Sequence, residues 1–135
     1  MAVSNLPIFE QAPKIGGLAT QVSTANVKRD GNDTIEDIIV GGTNGTRIDH
    51  IDIVATVTTT DGVIRLFISS GAGTPRLWKE ILVQAITPGV TVQVWSASID
   101  CSLPGNRLVL PAGYKLMAST NNAQAFNVIV FAGDL

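Results

Sequence analysis

Few residues in this chain could do chemistry. It has one histidine and one cysteine. His50 stands between Asp49 and Asp52, where it could act as a metal ligand or a base. A cupin-type metal site needs several histidines and a carboxylate converging on one ion, which a single His cannot supply. His50 is therefore expected to be an exposed polar position on a strand. Cys101 follows Asp100 and has no adjacent cation to stabilise a thiolate, so it reads as a small core residue. Ser, His and Asp all occur, but no Gly-x-Ser-x-Gly elbow assembles them into a hydrolytic triad. No enzymatic activity, metal or cofactor is expected.

The loops carry weaker signals. Asp30-Gly31-Asn32-Asp33, with Glu36 and Asp37 close by, resembles a fragment of a calcium loop. It lacks the bidentate acid at a fixed distance that such a loop needs, so turn chemistry is the expectation. Gly41 to Gly45 is glycine-rich without the Gly-Lys-Ser/Thr of a phosphate-binding loop. Asn32-Asp33-Thr34 and Asn44-Gly45-Thr46 are glycosylation sequons, expected to be accidents of an Asn/Thr-rich composition because the first residues do not read as a secretion signal. Trp78, Trp95 and Tyr114 could build a sugar-stacking platform. With only 5% aromatic residues, the two tryptophans are instead expected at a core edge or a subunit interface.

Composition bounds the remaining functions. The 135 residues suit one domain with its own core. Only 15% of them are charged, against about 25% in ordinary soluble domains. Such a surface either exposes Thr, Ser, Asn and apolar atoms or hides part of itself against copies or partners. Lys28-Arg29 is the only adjacent basic pair and the net charge is -2, so nucleic acid is not an expected partner. No apolar run approaches the roughly 20 residues that span a bilayer. A lone cysteine points to synthesis in a reducing cytoplasm.

The elements that must position these residues read as strands. Residues 1–14 read as an extended arm, in which Pro7 and Pro13 oppose helix and bracket Leu6, Ile8 and Phe9. Residues 15–135 then alternate apolar and polar positions between Gly, Pro, Asn and Asp turns. Strands are expected over 15–24, 34–40, 47–59, 63–69, 76–86, 90–99, 107–110, 114–120 and 126–132. Asp61-Gly62 predicts a tight type I′ hairpin between the third and fourth. Imperfect alternation at Lys79-Glu80 predicts a bulge, and 74–79 is the one place for a single helical turn. The last strand is apolar on both faces, with Phe126, Val128 and Val130 against Ile129 and Phe131, so it belongs at a sheet centre or an interface. The expected fold is all-β: a single-domain, jelly-roll-like β-sandwich of about eight strands with an extended N-terminal arm. An immunoglobulin-like sandwich is the alternative.

Several stretches add a resemblance. Asn5-Leu6-Pro7-Ile8-Phe9, Pro13-Lys14-Ile15-Gly16-Gly17 and Val22-Ser23-Thr24-Ala25-Asn26 resemble the start of small proteins from the structural regions of tailed phages and prophages. Asn44 to Ile48, Arg65 to Ile68, Arg76 to Ile81, Leu110 to Tyr114 and Asn127 to Ile129 extend the likeness over most of the chain. The resemblance implies a virion component. A compact sandwich with an apolar arm and little surface charge suits a capsid decoration (cement) protein, which clamps neighbouring major capsid protein subunits, often as a trimer. The implied place is the capsid surface of a virion assembled in the bacterial cytoplasm. Leu6, Pro7, Ile8, Phe9, Pro13, Trp78 and Trp95 are the expected interface residues. A tail, baseplate or spike component is the nearest alternative, and a carbohydrate-binding sandwich is the alternative of another class.

Overall fold

The computed structural model describes residues 10–135. Nine strands follow one another: β1 (Ala12–Gly16), β2 (Glu36–Val40), β3 (Thr46–Ala55), β4 (Gly62–Ser69), β5 (Arg76–Val83), β6 (Ser96–Asp100), β7 (Leu108–Leu110), β8 (Lys115–Thr120) and β9 (Phe126–Asp134). No helix occurs among the described residues, so the single turn expected near 74–79 is absent and β5 begins there instead. None of these elements is a helix long and apolar enough to cross a membrane.

The strands form two antiparallel sheets. One has the order β1-β9-β3-β6, with β7 also paired to β3, and the other the order β2-β8-β4-β5. Their inner faces share one apolar core, the arrangement of a β-sandwich. The first sheet contributes Ile48, Ile51, Ile53, Phe126, Val128 and Val130; the second contributes Ile39, Ile64, Leu66, Leu116 and Ala118. Burying each such large side chain stabilises the fold by about 1.5–3 kcal/mol before ordering costs. Trp95 is 6% exposed and meets Phe126 edge-on, with ring centroids 5.8 Å apart.

Bulges reconcile the sequence pattern with the two-residue period of a strand. Ile48 and Ile51 are both buried, although their spacing of three would put them on opposite faces of a regular strand. The register shifts between them, from Ile48 opposite Ala132 to His50 opposite Phe131, which leaves Asp49 as the extra residue. On β5 the partners step from Lys79 to Leu77, so the bulge expected near Lys79-Glu80 falls at Trp78.

Further local expectations fail, among them the strand over 15–24, which ends at Gly16. Asp61-Gly62 does not close a hairpin. β3 and β4 lie in different sheets, and neither Asp61 nor Gly62 has the positive φ of a type I′ turn. The turn residues instead carry the chain across the end of the sandwich, where Thr59 bridges to Ile86. The alternating stretch 90–99 is also not one strand. β6 begins only at Ser96, and Val90 and Val92 lie exposed in the preceding loop. Nearer the N-terminus, β1 starts at Ala12, so residues 12–14 of the segment read as an arm are ladder residues.

Candidate interaction surface

Strand β9 and its neighbour β1 present an apolar pair on the outer face of the five-stranded sheet. The alternation of β9 sends Phe126, Val128 and Val130 into the core and turns Ile129 and Phe131 outward. This strand lies between β1 and β3, and the register sets the neighbours of each outward residue. Phe131 stands opposite Ile15 on one side and His50 on the other, while Ile129 stands opposite Asp52. Ile15 is 53% exposed, Phe131 40%, and Leu18, just past the end of β1, 72%. Beside Ile129, a depression of about 220 Å³ is lined by Gly17, Leu18, Thr20, Gln21 and Asn127. Its polar wall is an amide pair: Gln21 Nε2 donates to Asn127 Oδ1 at 2.9 Å.

Charge borders this apolar row on β3 and β6. His50 Nε2 stands 2.7 Å from Asp52 Oδ1, and the Ser98 hydroxyl donates to the same oxygen at 2.7 Å. The Ser98 hydrogen bond, aided by His50, holds the Asp52 carboxyl below the usual carboxylate range. Ser, Asp and His therefore do meet, but in an order that cannot activate the serine. The hydroxyl proton points at the carboxylate, whereas nucleophilic catalysis needs the imidazole to receive it. The His50 ring lies 6.2 Å from that of Phe131, so the histidine forms the polar border of the apolar row.

The other singled-out residues fall in separate places. Leu6, Pro7, Ile8 and Phe9 lie outside the described residues. Pro13 sits in the edge strand β1 opposite Gly133, a position where its missing N–H is tolerated. Trp78 is half-buried against the core edge, with the Lys79 ammonium 5.0 Å from its ring centre. Trp95 belongs to the core, so its ring is closed to any partner and to any sugar. Cys101 is buried, and that burial pushes its thiol pKa up, away from nucleophilic use. Asp30 accepts the Asn32 backbone N–H at 3.0 Å and Lys28 pairs with Asp33 at 3.1 Å, so this loop is closed by its own turn bonds. Among the described residues, no three His, Cys, Asp or Glu side chains converge as metal ligands.

No family model matches this chain, and no curated protein matches it either.

Sequence reasoning missed two features. The first is Arg65, 2% exposed although its strand alternation puts it on the outer face of the four-stranded sheet. Its Nη1 donates to the Asn26 carbonyl, its Nη2 to Asn121 Oδ1, and its Nε to Glu80. The only signal was a charged residue inside an otherwise apolar run. The second is the row formed by Ile15 and Phe131, which depends on pairing the first described strand with the last.

Proposed function

We propose that this chain is a structural protein that works through its surface: a capsid decoration protein of a tailed phage, acting as a homo-oligomer. The observation that carries the reading is the exposed pair Ile15 and Phe131, with half-buried Ile129 beside them, on the outer face of the five-stranded sheet. Exposed apolar side chains clustered on one face and rimmed by polar groups suit a contact between proteins. The low overall charge and the resemblance to phage structural proteins point the same way.

The strand pairing supports a jelly roll as the finer architecture. The ladders nest: β1 with β9, β2 with β8, β3 with β6 and β7, and β4 with β5. That is one long antiparallel ribbon folded over on itself, the plan of jelly rolls in viral capsid proteins, lectins and cupins. A cupin centre would need more histidines than His50, and the sugar platform loses Trp95 to the core. A trimer is the proposed assembly, with the major capsid protein as its partner. In the nearest competing reading, the same surface serves a tail or baseplate.

Cryo-electron microscopy of purified particles tests the location. Density for the sandwich on the outer capsid lattice is the expected result. Density only in the tail overturns the capsid reading. Light scattering of the isolated protein tests the assembly, and a monomer at high concentration removes the oligomer.

A further inference from the structure

Strand β6 ends the five-stranded sheet and pairs with β3 alone. Its ladder has a definite phase. The Ala55 N–H donates to the Trp95 carbonyl and the Cys101 N–H to the Asp49 carbonyl, so Ala97 and Ile99 between them also bond towards β3. In an antiparallel ladder the alternate residues point their N–H and C=O groups the other way. Those residues are Ser96, Ser98 and Asp100, and all of them are exposed. Among the described residues, only the Leu103 N–H reaches these backbone groups, at 3.4 Å from the Asp100 carbonyl oxygen.

The other edges are blunted. β1 carries Pro13 and Lys14, and the Gly17 N–H just beyond it donates to the Ile38 carbonyl of β2. β2 has a register break of its own between Asp37 and Ile39. β5 has its bulge at Trp78 and the charges of Arg76, Lys79 and Glu80. Proline, charge and bulges are what keep an edge from pairing with another chain. The Ser-Ala-Ser-Ile-Asp of β6 has none of them before its last residue.

We propose that β6 is a self-pairing edge, which adds antiparallel to β6 of a second copy of this chain about a two-fold axis at Ser98. The phase of the ladder selects that centre. Centred on Ala97 or Ile99, the strands would oppose groups already bonded to β3. Centred on Asp100, two carboxylates would face each other. Centred on Ser96, the pairing would run into the loop before β6. At Ser98, each Ser98 N–H donates to the other's carbonyl, and Ser96 exchanges bonds in the same way with Asp100 of the partner subunit. The facing side chains are then serine with serine and serine with aspartate, so no like charges meet. A self-complementary patch of this kind closes as a two-fold pair. The contact does not depend on the capsid reading. It lies at the opposite edge of the sheet from Ile15 and Phe131, which leaves that pair free for a separate contact.

Amide hydrogen exchange of the full chain at rising protein concentration is the test, with light scattering alongside. Ala97 and Ile99 should be protected throughout by their bonds to β3. Ser96, Ser98 and Asp100 should exchange freely when dilute and gain protection together as the pair forms. Ser98→Pro removes the central donor of each copy at a position where an edge strand tolerates proline, so association should weaken at least about tenfold. Ser98→Lys and Ser98→Glu give a second check that does not alter the backbone. Each alone sets like charges across the axis and should not pair, whereas an equimolar mixture of the two should. The proposal is overturned if the three amides gain no protection with concentration, if folded Ser98→Pro associates as the unaltered protein does, or if the mixture pairs no better than either variant alone. Association without protection at these amides would sink this edge and leave the apolar face of Ile15 and Phe131 standing.

Discussion

The Arg65 guanidinium and the Glu80 carboxylate face each other directly across β4 and β5, 3.1 Å apart, and together they hold a loop onto the outer face of the four-stranded sheet. Arg65 donates to the Asn26 carbonyl at 3.0 Å, and Glu80 receives Arg29 at 2.8 Å. The segment carrying Asn26 and Arg29 covers what would otherwise be a solvated charge. Removing Arg65 leaves the buried Asn26 carbonyl without that donor, which costs about 1–3 kcal/mol, and frees the half-buried Asn121 amide oxygen to solvent. Arg65→Ala should therefore lower the urea midpoint strongly with little change in slope. A loss below about 1 kcal/mol would mean that water replaces the guanidinium.

Glu80 and Asp134 are among the carboxylates that contribute to the acid sensitivity of the sandwich. The Arg29 hydrogen bond holds the Glu80 carboxyl below its ordinary range, and the Thr46 hydroxyl, then Lys14, does the same for Asp134. Groups with lowered folded pKa values contribute stability above the unfolded value and lose it as pH falls through the folded one. Stability should thus decline on acidification below the ordinary carboxylate range. Asp134→Asn should flatten part of that decline in thermal melts recorded against pH.

Trp95 reports on the core. Trp95→Ala removes a ring packed edge-on to Phe126 and should cost about 3–5 kcal/mol. Fluorescence gives a second check: Trp95 should resist quenching by iodide, and half-buried Trp78 should not.

Gly17 sits where the chain leaves β1, with φ of 86°, and its N–H donates to the Ile38 carbonyl at 2.8 Å. A Cβ there would fall 1.8 Å from the Val128 carbonyl oxygen. Gly17→Ala should destabilise by at least about 1–3 kcal/mol from backbone strain alone, before the displacement of β9 is counted. Chemical denaturation checks it.

The inner faces were legible because each depends on local alternation: Ile51 with Ile53, and Ile64 with Leu66, read correctly from their spacing. Pairing was less legible because it is non-local. Asp61-Gly62 has the composition of a hairpin turn, yet nothing within ten residues reveals that its flanking strands belong to opposite sheets. Residues 90–95 alternate as a strand does, but only Gly89 and Val92 find a bridge, with each other. Arg65 was hidden for a related reason, since alternation assigns it to solvent and the covering loop comes from some forty residues upstream in the chain. Of the candidate surface, the two-faced character of the last strand was readable. The Ile15–Phe131 pairing was not.

Replacing Ile15 and Phe131 together by Ser tests the surface itself. Both side chains point away from the core, so the double variant should unfold within about 0.5 kcal/mol of the unaltered protein. Oligomer formation or particle binding should nevertheless fall at least tenfold. Undiminished assembly with intact folding would move the contact to another face.

The nested ladders also constrain how the chain is made. Hairpin β4·β5 can form as soon as both strands leave the ribosome, since only a short loop separates them. β3 can pair with β6 and β7 first, but β1 must wait for β9, the last of the nine strands, which joins it to β3. Until then two strands of the larger sheet have unpaired edges and their apolar sides uncovered. Closure of the larger sheet is therefore a late event, and a nascent chain stalled before Phe126 would have β1 without a partner and one edge of β3 open.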